Sequence, residues 1–226
     1  MTRDEIIKFL VIRSIGNFLV LFAIYGVIAT FGPALYYETQ YRIIQIRGIH
    51  FTVEHPSAVA QRPRQVNVLT GPKEQTLIPF DTSFDIVIPK IGASAVVAPN
   101  VDATNENEYL PALQQGVAHA KGTVFPGMKG NIYLFAHSAD NFWDAGRYNA
   151  VFYLLKDMSP GDDIVLFFEG KRFNYKVTES RIVEPSEVSY LVQSQDKNSP
   201  QKLILQTCWP PGTTWKRLVV FAEPVQ

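Results

Sequence analysis

The sequence predicts an all-β domain, a closed or nearly closed barrel with a few short helices, preceded by one N-terminal transmembrane helix. Three observations predict it. Residues 14–37 carry no charge, short apolar runs alternate with turn residues from Phe84 onward, and helical patterning in that second part is confined to two short stretches. Many short strands with few helices over roughly 145 residues favour a sheet closed on itself over a βαβ arrangement.

In chain order, residues 1–13 form the expected cytoplasmic N-terminus. Ser14–Tyr37 then supplies 24 uncharged residues, flanked by Arg13 and Glu38, and about 20 suffice to cross a bilayer. Its eleven Leu, Ile, Val and Phe residues, at roughly 0.3–0.6 kcal/mol each, favour insertion by about 3–6 kcal/mol. A cleaved signal peptide would show an apolar run of only about 7–15 residues and a small-x-small cleavage site, and neither is evident. Arg3, Lys8 and Arg13 before the span outnumber Arg42 and Arg47 after it. That excess orients the N-terminus inside, so a single-pass protein with an extracytoplasmic domain is expected. Tyr36, Tyr37 and Tyr41 are expected at the membrane interface, where amphipathic rings are favoured.

Residues 38–82 read as a juxtamembrane stalk or linker, interrupted by Pro56, Pro63 and Pro72, with room for local helix or strand around Tyr41–Val53. Residues 83–226 hold the barrel. Its expected strands are Phe84–Pro89, Ala93–Val97, Asn131–His137, Asp163–Phe168, Arg172–Val183, Lys202–Cys208 and Arg217–Ala222, with short helices at Glu106–Gln115 and Tyr148–Leu155. Glu169-Gly170-Lys171 between alternating runs reads as a hairpin turn.

Composition excludes several functions. The 21 basic and 21 acidic side chains cancel, leaving no positive field to hold nucleic acid. One cysteine makes neither an internal disulfide nor a cysteine-rich zinc cluster, and no metal is expected.

Strand alternation places Lys202, Ile204, Gln206 and Cys208 on one face and Leu203, Leu205 and Thr207 on the other. The thiol therefore falls on the more polar face. Trp209-Pro210-Pro211-Gly212 must end that strand, because neither proline can donate to a ladder. Antiparallel return of the chain would bring Arg217 beside Cys208. There a guanidinium could favour a thiolate or hold a developing oxyanion, and a strand-end arginine facing water is the open alternative. His137, at the mouth of a strand, is well placed for proton transfer. His119, in GVAHAKGTVFPG, is its rival, with a hydrogen-bonded structural role as the competing reading.

Phe135-Ala136-His137-Ser138 and Leu205-Gln206-Thr207-Cys208, followed nine residues later by Arg217 and preceded by a membrane span, resemble the sortases, membrane-anchored cysteine transpeptidases of bacterial surfaces. Gly116–Ser138 is similar as well. Ile204 stands where the family usually has Thr, and Ala136 where it often has Gly; both leave the reactive groups intact. The resemblance, over roughly residues 84–224, implies a barrel of about eight strands and a groove for a Leu-Pro-x-Thr-Gly-like motif near the C-terminus of a secreted surface protein. It implies that Cys208 attacks the scissile carbonyl, His137 shuttles the proton and Arg217 stabilises or positions the carbonyl. The acyl group would pass through a thioacyl enzyme to an amine such as a peptidoglycan precursor or a pilin lysine. Thr207 and Trp209, which flank the nucleophile, and Ala136 and His119 are the substrate-binding candidates, with packing as the competing role. Some members bind calcium, but Asp102, Glu106 and Glu108 read as a solvated helix start, and no cofactor is expected. A cysteine hydrolase of cell-wall peptides and a catalytically silent surface module are the alternative functions.

Overall fold

The computed structural model describes residues 2–54, 69–138, 151–192 and 200–225. It begins with one long helix, α1 (Arg3–Arg47). Thr2 and Glu5 close its N-terminus reciprocally: the Glu5 N–H donates to Thr2 Oγ1 (3.4 Å) and the Thr2 N–H to Glu5 Oε2 (2.7 Å). Gly48, in the left-handed region at φ 61°, ends it. Arg3–Ala29 is long and apolar enough to cross a membrane, and none of its apolar window is covered by protein. A helix that exposes Phe18, Leu21 and Phe22 to no partner needs a non-aqueous surrounding.

After α1 come β1 (His50–Val53) and β2 (Glu74–Leu77), paired in parallel. Then follow β3 (Phe84–Ile88), β4 (Ala93–Val101), α2 (Glu106–Gln115), β5 (Val117–Ala120), β6 (Asn131–Phe135), β7 (Asp163–Phe168), β8 (Lys171–Val183), α3 (Ser189–Val192), β9 (Lys202–Trp209) and β10 (Lys216–Pro224). The eight strands from β3 onward close in the order β10-β8-β7-β3-β4-β5-β6-β9. Parallel pairing of β4 with β5 and of β6 with β9 is set among antiparallel neighbours.

Strict alternation fills this barrel. Ile86, Ile132, Leu134, Ile164, Leu166, Leu203, Leu205 and Val220 point inward into one core cluster, as an eight-stranded barrel requires to leave no void. Their neighbours Tyr133, Ile204, Val219 and Phe221 pack on the outer face under α3. Phe152 and Leu155, both fully buried, join the same core from the segment between β6 and β7.

Three expectations change. The helix foreseen at Tyr148–Leu155 is a 3₁₀ turn at Tyr153–Asp157, and residues 148–150 lie outside the described residues. Strand β4 runs four residues beyond Val97, because the irregularity at Ala98–Val101, with Asn100 at φ 56°, absorbs Pro99 without ending the pairing. Tyr37 and Tyr41 do not face lipid: Tyr37 meets the Tyr153 ring at 5.9 Å and Tyr41 enters the main core. With Glu38 paired to Lys156 at 2.8 Å, the last turns of α1 are bound to the barrel. Close approach also explains Gly116, where a Cβ would sit 2.5 Å from the Val96 carbonyl oxygen.

Candidate active site

Cys208, His137 and Arg217 come from three adjacent strands. Cys208 is the penultimate residue of β9, and its register partner on β10 is Arg217. On the other side, Phe135 of β6 is level with Gln206, and the Ala136 N–H donates to the Gln206 carbonyl at 3.2 Å. His137 lies two residues past the last paired position of β6, and continuing the register sets it level with Cys208. Neighbouring strands lie about 4.8 Å apart, so this register lines up the positions of His137, Cys208 and Arg217 as one row across the rim.

The row is half-buried throughout. Burial holds the His137 imidazole below its ordinary pKa of 6.5, since the charged ring is the form that loses hydration. Arg217 is fixed by its own loop: Nη1 donates to the carbonyls of Thr214 (3.0 Å) and Lys216 (3.1 Å). Burial also raises the Tyr133 and Tyr190 hydroxyls, with the positive charge of Arg217 acting against that rise on both.

The four substrate-binding candidates do not join the row. Each points into the barrel, because residues adjacent to an outward-facing residue must face inward. Trp209 packs against the main core, as does Ala136, which is 5% exposed. Thr207 is 3% exposed, and its Oγ1 donates to the Ala136 carbonyl at 2.9 Å, tying β9 to the chain just before His137. His119 is fully buried, stacked on Phe125 with ring centroids 4.5 Å apart. Its Nδ1 accepts the Asn100 N–H at 3.3 Å, where the β4 irregularity has displaced that donor. The remaining proton then sits on Nε2, which donates to the Val124 carbonyl at 3.1 Å. Burial lowers the His119 pKa as well.

The residues that do share the outer face lie two positions away, or on covering helices. Gln206 is held by the hydroxyls of Tyr190, on α3 (2.5 Å), and Tyr133. Phe135 and Tyr109 of α2 pack against one small buried cluster, and both Tyr109 and Tyr133 lie within electrostatic reach of Cys208. A period-2 count from Cys208 and His137 would have found Gln206 and Phe135; no local signal marks Tyr109 or Tyr190. Asp102 accepts from Thr104 Oγ1 at 2.7 Å, and Glu108 from the Asp102 N–H at 3.0 Å, so these carboxylates build the turn into α2.

The sortase domain model matches residues 86–225, more than half of the chain. Sortase D of Bacillus subtilis (strain 168) is 27% identical over 141 residues, a match spanning 61% of this chain and 61% of that protein. Sortase C-1 from Actinomyces oris is 26% identical with a TM-score of 0.53, covering 65% of this chain and 76% of that one. Clostridium perfringens sortase C, solved with the C-terminal cell wall sorting motif, is 26% identical with a TM-score of 0.51, covering 63% and 69%. On the matched domain, the chain belongs to the sortase family.

Proposed function

We propose that this chain is a membrane-anchored cysteine transpeptidase that cleaves a Leu-Pro-x-Thr-Gly-like motif of secreted surface proteins and passes the acyl group to an amine. The observation that supports this reading best is the pairing of Cys208 with Arg217 on β9 and β10, with His137 following β6, the parallel neighbour of β9. The motif is argued from family membership and from the sorting motif held by the Clostridium perfringens relative. Anchoring is argued from the bare apolar stretch of α1, with residues 1–13 cytoplasmic, the span within 14–37 and over by Tyr37, which packs on the barrel, 38–82 juxtamembrane and 83–226 catalytic and extracytoplasmic.

The chemistry follows from the side chains. Because burial favours the neutral ring, His137 first takes the Cys208 thiol proton as Sγ attacks the scissile carbonyl. The guanidinium of Arg217, permanently charged and planar, stabilises the tetrahedral oxyanion. His137 then returns the proton to the departing amine, leaving a thioester on Cys208. An incoming amine attacks that thioester, loses a proton to His137, and departs as a new amide while the thiolate is released.

Incubating the detergent-solubilised chain with a sorting-motif peptide should add the acyl mass to Cys208. The adduct should discharge as an amide when a peptidoglycan-derived amine or a pilin lysine peptide is supplied. Turnover persisting in Cys208→Ala would sink the reading, and discharge only to water with an amine present would reassign the acceptor.

A further inference from the structure

Following the chain around the barrel, β3, β6, β8 and β9 run one way and β4, β5, β7 and β10 the other. Cys208 closes β9, His137 follows β6 and Arg217 opens β10, so the row marks one end of the barrel. That end is also where β3 finishes and β4 begins. The final turns of α1 dock there: Tyr37, Tyr41 and Ile44 line a shared pocket with Ile91, Gly92, Ala93, Val151 and Leu154. The membrane helix therefore leaves the barrel from the end that carries the row.

The tether is short and stiff. The uncharged run reaches Tyr37, which already packs on the barrel, and Glu38, the first charge after it, is paired with Lys156, so no free segment separates the apolar helix from the barrel. The headgroup layer itself is about 5–8 Å deep on each side. A helix that passes without a free segment from apolar run to barrel leaves little more than the headgroups between barrel and bilayer. On the same end, the β9–β10 loop presents Trp215 at 71% exposure, next to exposed Lys216. An exposed tryptophan is favoured at a membrane interface, while Lys216 beside it is paired with Glu184 at 2.9 Å.

We infer that the end of the barrel bearing the row faces the bilayer, and that the β9–β10 loop, through Trp215, rests in the lipid interface. The inference builds on the anchoring reading above. Its consequence is that both acyl donor and acceptor must be presented at the membrane surface, and that the opposite end of the barrel faces away from lipid.

Cys208 is the sole cysteine, so in a Cys208→Ala background a single new thiol can be labelled without ambiguity. Thr214→Cys, beside Trp215, and Lys129→Cys, on the exposed β5–β6 connection at the far end, each take an environment-sensitive fluorophore. The full chain is then reconstituted in phosphatidylcholine–phosphatidylglycerol vesicles carrying headgroup nitroxide lipids. The label at 214 should be quenched and blue-shifted, and the label at 129 left as in water. Equal quenching at both positions, or stronger quenching at 129, overturns the inference while leaving anchoring intact. A chain that fails to float with vesicles overturns anchoring and the inference together. A label at 214 that ignores lipid and responds only to an added sorting peptide assigns the loop to substrate and overturns the inference alone.

Discussion

Thr207→Val tests whether the hydroxyl between β6 and β9 aligns His137 with Cys208. The Thr207 Oγ1 donates to the Ala136 carbonyl at 2.9 Å from a site only 3% exposed. Valine keeps the shape and removes the donor. The Ala136 carbonyl then stays buried without that bond, which costs about 1–3 kcal/mol, and at about 2–4 °C per kcal/mol the melting temperature should fall by about 2–12 °C. The larger effect is expected on catalysis. Ala136 directly precedes His137, beyond the end of β6, so its position depends on this bond and on the Ala136 N–H contact with Gln206. A displacement near 1 Å at a reacting group costs about 100-fold, so the rate of adduct formation on Cys208 should drop by about 10- to 100-fold. Thermal melting and time-resolved mass spectrometry measure the two quantities on one preparation. Thr207→Ser should retain most of both. Wild-type melting and rate in Thr207→Val, or equal damage from serine, would refute the reasoning.

Two further predictions concern pH. Because burial keeps His137 below 6.5, kcat/KM for acyl transfer should hold level as pH falls through 6.5 and decline only below it; a profile already falling at pH 7 would contradict the neutral ring. Asp85 is fully buried, and desolvation pushes its carboxyl up to about 7 although it accepts the Phe80 N–H. The unfolded chain releases that proton near 3.8, so the stability lost through this group grows as pH rises from there and levels off above about 7. Asp85→Asn should thus stabilise the domain more at pH 8 than at pH 5, by about 3 kcal/mol over two pKa units. The terms from His119 and His137, whose lowered values reduce stability as pH falls below 6.5, are common to both proteins and cancel in the difference. An equal gain at both pH values in chemical denaturation would refute the assignment.

Much of this arrangement was legible in the sequence. The alternation in Lys202–Cys208 assigns the thiol to the polar outer face, and the structure places Leu203 and Leu205 inside with Cys208 outside. The proline-terminated loop after Trp209 predicts the return that pairs Arg217 with Cys208. The flanking candidates face the other way. Thr207, Trp209 and Ala136 lie one position from a row member, and in a strand one position means the opposite face. Residues two positions away share the row's face, and Gln206 and Phe135 occupy those places. His119 could not be judged from its run, because its partner, the Asn100 N–H, is freed by an irregularity 19 residues earlier. Tyr109 and Tyr190 reach the row through the packing of α2 and α3, which no sequence period reports.

The barrel also explains why the chemistry lies outside it. Eight strands enclose a space just wide enough to be filled by side chains, and here Ile132, Leu134, Leu203, Leu205 and Val220 fill it with no exposure. No peptide can enter, so a reactive row must lie on the outer face. Only a rim offers three neighbouring strands whose backbone ends free a loop to grip a guanidinium and a carbonyl for a neighbouring hydroxyl to hold. The parallel pairing of β6 with β9 is what makes this rim possible: it ends two strands together, so that His137 and Cys208 both emerge at the edge where β10 begins with Arg217. Were β6 antiparallel to β9, the residue following β6 would emerge at the far end of the barrel. The row is thus a property of strand direction before it is a property of any one side chain.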